Sequence, residues 1–466
     1  MEQAREKDAQ FLKMTETPIP KLVTSLAVPT IISMMITSIY NMADTFFVSK
    51  LGTSATGAVG VVFSLMAIIQ AVGFMLGMGS GSTCSRLLGQ RKEKEADTVG
   101  SSALFAAVSF GLILTVGGLL GLDLLMRLLG ATETILPYAR DYARYILFGA
   151  PIMCASFVMN NLLRSQGRAV LSMMGIGFGG LLNILLDPLF IFGLQMGIAG
   201  AAVATLISQC VSFCILFSFF LRGKSSIHLS VANISRGLGV YGTIIKTGMP
   251  SFCRQGLASV ANIALNLNAA VYGDAAVAAM SVVGRVFMFI FSFMIGFGQG
   301  FQPVAGYNYG AEKYGRVKQA FWFTVKVGMV VLGSMAVLGF VFAPQIMAVF
   351  RKDDAMVIAI GTLAFRAQCV ALPLSPLYTA TNMMFQTTGQ AGRATFLAMA
   401  RQGLFFIPLV LTLPRFWGLL GVQLAQPAAD LLSFVCTIFM LVPFFGLLSH
   451  MEEGQRVRQE ETAAQK

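Results

Sequence analysis

Long apolar stretches alternate with short polar connections along almost the whole chain. Each stretch is long enough to cross about 30 Å of hydrocarbon as a helix, and a helix pairs its own backbone groups in lipid. The segments lack the short alternating pattern of a membrane barrel. The pattern therefore predicts an all-α polytopic membrane protein with 12 transmembrane helices, over residues 22–48, 56–82, 98–122, 138–160, 169–192, 199–222, 243–270, 275–303, 319–344, 356–385, 394–416 and 419–448.

The composition agrees with this prediction. Hydrophobic residues make up 56% of the chain and charged residues 12%, whereas soluble domains carry about 25% charged residues. The net charge of +12 is dispersed among connections, so no nucleic-acid partner is expected. The only histidines, His228 and His450, lie at the edges of apolar stretches. They leave no set for zinc, haem or a catalytic triad, and we expect neither a cofactor nor an enzyme.

Lysine and arginine predict the side of the membrane on which each connection lies. With the N-terminus placed inside, the inner segments hold about three times as many of them as the outer segments, which is typical of cytoplasmic loops. Arg164 and Arg401 are assigned to inner connections. Both termini are therefore predicted to be cytoplasmic. The outer basic residues are Lys50, Arg127, Arg140, Arg144, Arg351, Lys352 and Arg415.

The second half of the chain repeats the first at an offset of 221 residues. Pro29, Gly52, Gly89 and Lys92 align in this way with Pro250, Gly273, Gly310 and Lys313. Six stretches in each half give two copies of the same orientation, related by an axis along the membrane normal. We predict a tail over 1–21, an N-lobe over 22–222, a linker over 223–242, a C-lobe over 243–448 and a tail over 449–466.

Three acidic residues, Asp44, Asp187 and Asp430, lie well inside apolar stretches. A charged side chain there costs about 2.5–3.5 kcal/mol on insertion scales, so each requires a reason. Asp44 and Asp187 are predicted at similar depth, because both lie in the outward parts of stretches that run in the same direction. Neutral polar side chains are expected in the same layer, namely Asn41, Tyr142, Asn183 and Thr205. The layer predicts a site for a proton or for Na⁺ held by Asp44, Asp187, Asn183 and Thr205.

Two alternatives stay open at this point. Each acid could instead be satisfied by hydroxyl or backbone partners and only fix helix packing, and Asp430 has no evident acidic neighbour. The second half lacks the layer, since Asp44 aligns with Leu265. It carries amides and bases that either line a polar cavity or join helices. The candidates for a substrate cleft are Asn41, Arg254, Gln255, Asn262 and Gln299.

Several motifs, taken in order, resemble those of the multidrug and toxic compound extrusion (MATE) family, in its branch of bacterial drug exporters. They are Pro29 with NMADTFFVSKLG (41–52), GMGSGSTCSRLLGQ (77–90), LLRSQGR (162–168), NILLDPLFIFGLQMGIAGAAVAT (183–205), GMPSFCRQ (248–255), GFGQGFQPVAGYNYGA (296–311) and TTGQAGR (387–393). The resemblance implies a V-shaped pair of lobes. It also implies that Pro29 takes part in conformational switching and that Asp44, Tyr142, Asn183, Asp187 and Thr205 bind the coupling cation.

The expected function is secondary active efflux of drugs and dyes that are amphipathic organic cations, driven by H⁺ or Na⁺ through alternating access. The protein is expected to act as a monomer in the bacterial cytoplasmic membrane. A flippase for lipid-linked or polysaccharide precursors is the alternative, because related families share this architecture. A membrane receptor without transport activity is a third class.

Overall fold

The computed structural model describes residues 2–350 and 354–464, which are almost entirely helical. The first half contains α1 (Glu2–Glu16), α2 (Ile19–Ser49), α3 (Thr53–Gly89), α4 (Glu93–Leu120), α5 (Leu122–Leu128), α6 (Leu136–Ser165), α7 (Ala169–Pro188) and α8 (Gly197–Leu221). The second half contains α9 (Leu238–Ala270), α10 (Asp274–Gly310), α11 (Tyr314–Val341), α12 (Ala343–Phe350), α13 (Ala355–Ala371), α14 (Ser375–Thr387), α15 (Ala391–Met399), α16 (Ile407–Trp417) and α17 (Leu419–Ala464).

The number of spans matches the prediction. Eleven helical segments of the described chain are long and apolar enough to cross a membrane, with α13–α14 and α15–α16 each forming one of them. The twelfth span is α9, which is 33 residues long but carries charged and amide side chains such as Arg254 and Asn262. Large apolar side chains such as Ile113, Leu185 and Phe439 are exposed on the outer faces, as expected of surfaces that contact lipid.

The internal repeat is present in the backbone as well as in the sequence. Residues in the left-handed region recur at the offset of 221, including the non-glycine pair Arg91 (φ 59°) and Glu312 (φ 61°). The glycine pairs are Gly52 with Gly273 and Gly197 with Gly418. Because left-handed residues interrupt helices at matched places, the two lobes fold through the same series of helix ends.

A side-chain hydrogen bond also repeats between the lobes. Asn160 donates to the Ser172 carbonyl oxygen at 3.1 Å, and Asn382 donates to the Ala394 carbonyl oxygen at 2.6 Å. In each lobe the bond joins two residues that are twelve apart in sequence and lie on consecutive spans. The two bonds occupy the same position in their lobes. The prediction of two parallel six-helix repeats is therefore confirmed.

The lobes meet in close backbone contacts around the pseudo-two-fold axis. A Cβ atom added to Gly89 would collide with the Tyr307 carbonyl oxygen, and one added to Gly310 would collide with the Arg86 carbonyl oxygen. The offset of 221 residues that relates the two halves converts each of these two contacts into the other. They require glycine because helix backbones approach this closely only where no side chain intervenes.

All of these crossings lie near the end of the molecule that carries both termini. Gly300 touches Ala27 on α2, and Gly248 touches Met75 on α3. Farther along the same helices, the Ser38 and Ser292 hydroxyl oxygens are 2.9 Å apart. Beyond that pair α2 and α9 have exposed faces, so the lobes form a V that opens at the end opposite the termini.

The connections predicted to be internal gather at the closed end. In α1, Gln10 donates to the Gln166 carbonyl oxygen at 2.6 Å, while Arg316 of the C-lobe donates to the Thr17 carbonyl oxygen at 2.6 Å. The first tail is thus a helix that contacts both lobes. The second tail continues α17 as far as Ala464, so no helix ends at residue 448.

Two basic residues assigned to inner connections lie elsewhere. Arg164 is inside α6 and 4% exposed, and Arg401 is in a π-helical turn between α15 and α16. The assignment to loops was wrong for both, because buried polar partners described below compensate their charge. Arg351 and Lys352, assigned to the outer side, lie outside the described residues.

Candidate functional site

The N-lobe brings the predicted polar layer together from four helices. Asn183 on α7 donates from Nδ2 to the Asp187 Oδ1 atom at 3.4 Å and to the Thr205 Oγ1 atom on α8 at 3.3 Å. Asn183, Asp187 and Thr205 are at most 5% exposed. The one-turn spacing on α7 therefore places the amide and the carboxylate on the same inward face.

Tyr142 on α6 and Asp44 on α2 complete the cluster. The Tyr142 hydroxyl lies beside the Asp44 carboxylate and Thr205, and it is close enough to interact electrostatically with both acids. The two carboxylates also interact with each other. All five predicted residues are therefore in one cluster, in which two negative charges share a site away from bulk water.

The cluster has unused hydrogen-bonding capacity. The Asp44 Oδ1, Asp187 Oδ2 and Asn183 Oδ1 atoms are buried without a hydrogen-bond partner. A buried acceptor that stays unpaired costs about 1–3 kcal/mol, so these oxygens favour the binding of a positively charged species. Carboxylate, amide and hydroxyl oxygens suit a hard cation, and a carboxylate can equally take a proton.

The chemistry of this donor set excludes a typical transition-metal site. Within the described residues no three His, Cys, Asp or Glu side chains are grouped closely enough to hold a metal ion. The cluster supplies two carboxylates with neutral oxygens around them. The residues therefore fit a proton or a hard cation such as Na⁺.

A cavity of about 840 Å³, including its open mouth, extends through the N-lobe from this cluster. Its walls combine Asn183 and Thr205 with apolar side chains and with polar residues that sequence reasoning did not select. The residues missed include Tyr40, Gln70, Asn160, Arg164, Ser208 and Gln209. Gln70 and Asn160 could have been selected from the sequence, because each is an amide within an apolar stretch.

Arg164 lies on the wall of this cavity and bonds across the lobe boundary. Its guanidinium donates to the Gln299 Oε1 atom on α10 at 2.6 Å and to the Asn161 side-chain oxygen. Gln299 is 1% exposed, so it belongs to the contact between lobes and does not line the open cleft. Its expected role as a cleft residue is therefore replaced by a cross-lobe hydrogen bond.

The other residues expected in the cleft have different surroundings. Asn41 is half-buried one turn from Asp44, and Asn262 is exposed on the outward part of α9. Gln255 is half-buried on α9. Arg254 donates to the Asn382 Oδ1 atom at 3.3 Å and faces a separate cavity inside the C-lobe.

Pro29 lies within α2, which is continuous from Ile19 to Ser49. Pro29 has no N–H to donate to the Ser25 carbonyl oxygen one turn earlier, and its own carbonyl oxygen accepts a hydrogen bond from the Ser33 hydroxyl at 2.9 Å. The neighbouring residues Ala27 and Ile31 contact Gly300 and Gly296 of α10. Pro29 therefore removes one backbone hydrogen bond from α2 where this helix contacts the opposite lobe.

Asp430 forms a buried ion pair in the C-lobe. Arg401 donates from Nε to the Asp430 Oδ1 atom at 2.7 Å, and Gln426 donates to the same oxygen at 3.0 Å. The guanidinium also lies over the rings of Phe291 and Tyr378. Of the two roles left open for Asp430, the structure shows the one in which the acid joins helices.

We expect the single change Arg401→Gln to destabilise the protein by about 3 kcal/mol, because it leaves Asp430 as an uncompensated buried charge. The double change Arg401→Met with Asp430→Leu should recover most of the loss. Thermal unfolding followed by tryptophan fluorescence measures both. Equal stability of Arg401→Gln and the wild type would contradict the pairing.

The fold and the site define a helical membrane transporter with two lobes and a buried cluster with two carboxylates in the first. A model of the MatE family matches residues 29–189 and 250–412. The chain belongs to this family.

Relatives with known names cover most of the chain. It is 27% identical over 417 residues to the multidrug export protein MepA of Staphylococcus saprophyticus, covering 89% of this chain and 92% of the relative. The MepA of Staphylococcus aureus strain NCTC 8325 is 27% identical over 418 residues, with the same coverage.

Solved structures agree with the fold. An outward-facing structure of a multidrug resistance MATE family transporter is similar with a TM-score of 0.89, 27% identity and coverage of 95% of this chain and 98% of that one. A MATE structure in the straight conformation has a TM-score of 0.88 at 26% identity, covering 95% and 99% of the two chains.

Proposed function

We propose that the protein is a multidrug exporter that couples the entry of H⁺ or Na⁺ to the efflux of amphipathic organic cations. The observation that carries this proposal is the buried cluster of two carboxylates, each of which has one oxygen without a hydrogen-bond partner. The names of the relatives support export of drugs. The exported cation and the coupling cation both carry positive charge, so they compete for the same acidic lobe.

The path of coupling runs along α2. Asp44 belongs to the cation cluster, whereas Ala27 and Ile31 on the same helix contact the C-lobe. Neutralisation of Asp44 by a proton or Na⁺ removes its repulsion from Asp187 and changes the preferred position of α2. Pro29 lies within the C-lobe contact, between Ala27 and Ile31, and weakens the helix there. A bend at Pro29 therefore changes the cross-lobe contact when the cation binds.

The conformation described here has its cleft open at the end opposite the termini. With both termini in the cytoplasm, as the distribution of basic residues predicts, this is the outward-open state. Rocking of the lobes would break the contacts at Gly248 and Gly300 and open the inner end, which is alternating access. A ligand favours the state that it binds more tightly, so drug and coupling cation shift the lobes in opposite directions.

The walls of the N-lobe cavity suit amphipathic cations. Met34, Phe74, Met153 and Phe157 supply adaptable apolar and aromatic contacts next to the acidic cluster. Methionine fits ligands of different shapes, and aromatic faces attract organic cations. This combination favours several substrates over one specific ligand.

The test is transport of a fluorescent organic cation by the full chain in proteoliposomes, with a pH gradient and a Na⁺ gradient imposed separately. We expect uphill movement of the dye with one of the two gradients and only passive leak with neither. No gradient-driven movement, together with binding of a lipid pyrophosphate, would contradict export and favour the flippase.

A further inference from the structure

The C-lobe contains a cavity that the repeat relates to the cavity of the N-lobe. Asn382 stands where the N-lobe has Asn160, and the two make the same hydrogen bond. At the offset of 222, Arg401 and Gln402 occupy the positions of Gly179 and Gly180. The C-lobe cavity holds about 530 Å³ including its mouth. Large polar side chains therefore replace glycines on one of its walls.

The charged side chains that line this C-lobe cavity are arginines. Arg254 and Arg401 line it, and none of the described residues in its lining is acidic. Asp430 lies behind Arg401 and neutralises it. Arg254 has a hydrogen bond to the neutral Asn382 side chain at 3.3 Å. One positive charge therefore remains without a carboxylate beside it.

The same cavity presents polar groups that have no partner. The Thr379 hydroxyl and the Gln402 Oε1 atom are buried without a hydrogen bond, although both residues line the cavity. Tyr378 and Thr379 are both 7% exposed. An unpaired hydroxyl donor in the same cavity as a guanidinium that has no carboxylate beside it is suited to binding a carboxylate in a dry site.

We propose that the C-lobe cavity binds the carboxylate group of amphipathic substrates that carry one, with Arg254 as its counter-ion. This inference rests on the proposed export function and assigns a place in the C-lobe to the carboxylate of those substrates that carry one. An arginine is suited to this role because its planar fork donates two parallel bonds to a carboxylate. The Thr379 hydroxyl donates a third bond.

A purely structural role for Arg254 gives a different expectation. If its only function were the bond to Asn382, the change Arg254→Gln would alter stability and weaken every ligand to a similar extent. If it binds a carboxylate, the change weakens only ligands that have one. The decisive quantity is therefore a ratio between two ligands that differ in this group alone.

Rhodamine 110 and rhodamine 123 are such a pair, because the second is the methyl ester of the first. Binding of each dye to the purified full-length protein in lipid nanodiscs is measured by fluorescence anisotropy at neutral pH. We expect Arg254→Gln to weaken rhodamine 110 about tenfold, as the loss of a charge-assisted hydrogen bond implies. Rhodamine 123 should bind with the same affinity as before within about twofold.

Two further variants make the result independent of misfolding. Thr379→Val removes one hydroxyl while preserving shape, and it should weaken only rhodamine 110, by a smaller factor. Arg285→Gln is the matched control, since Arg285 is an exposed arginine on α10 outside the lining of this cavity. It should leave both dyes unchanged, and retained binding of rhodamine 123 shows that each variant is folded.

Equal weakening of both dyes by Arg254→Gln, or no change for either, would overturn the carboxylate site. Equal affinity of the wild type for acid and ester would overturn it as well. Transport of rhodamine 123, which lacks the carboxylate, tests the export proposal independently of the carboxylate site. If the wild type binds rhodamine 110 through Arg254 but never moves rhodamine 123 along an ion gradient, the export function fails and the site stands.

Discussion

Asp187→Asn is expected to lower gradient-driven export to the rate of protein-free liposomes. The change preserves the size of the side chain and its bond to Asn183, but it removes one of the two charges that attract the coupling cation. Asp187 is fully buried, so no neighbouring water can replace its charge. Efflux of a fluorescent organic cation from proteoliposomes under the effective gradient measures the loss.

Asp44→Asn should have the same effect, because both carboxylates belong to one site. The control is Asp141→Asn, which alters an exposed carboxylate next to Tyr142 in sequence. This variant should export at the rate of the wild type. Wild-type efflux in both Asp44→Asn and Asp187→Asn would contradict the assignment of the coupling site.

A disulfide between the lobes should stop transport. The Ser38 and Ser292 hydroxyls are 2.9 Å apart across the lobe boundary, within reach of the geometry of a disulfide. The double change Ser38→Cys with Ser292→Cys should therefore form a bridge on oxidation and hold the closed end shut. We expect export to fall to background after oxidation and to return after reduction.

The single changes Ser38→Cys and Ser292→Cys provide the controls, because neither can form this bridge. The wild type has seven cysteines of its own and should also be insensitive to the oxidant. Cross-linking is verified by the mobility of the oxidised double variant after cleavage in the linker between the lobes. Full export by the cross-linked protein would contradict alternating access by movement of the lobes.

The transmembrane architecture could be predicted from the sequence because its causes are local. A helix in lipid must be predominantly apolar, and this requirement is visible in the long apolar stretches. The repeat was visible for a similar reason. Gly89 and Gly310 each touch the backbone of the opposite lobe, which leaves no room for a side chain. The same contact therefore requires glycine at the matching position in both halves of the sequence.

The acidic cluster was also predictable, since Asp44 and Asp187 are costly in an apolar stretch. Arg164 and Arg401 were assigned wrongly because their partners are distant in sequence. Gln299 lies 135 residues from Arg164, and Asp430 lies 29 residues from Arg401 on another helix. Both arginines lie near the end of an apolar stretch, which suggested a loop. In the folded protein their hydrogen-bond partners allow them to be buried. Arg254 was named from the sequence as a cleft candidate, whereas Tyr378, Thr379 and Gln402, which line the same C-lobe cavity, were not selected.

The most direct test of coupling through the N-lobe cluster is to measure the ion flow that a gradient of the organic cation drives. Proteoliposomes are given a gradient of the organic cation alone, and the counterflow of H⁺ and Na⁺ is recorded for the wild type and for Asp187→Asn. The account predicts counterflow of one of the two ions in the wild type and none in the variant. Movement of the organic cation without ion counterflow in the wild type, or equal counterflow in the variant, would contradict it.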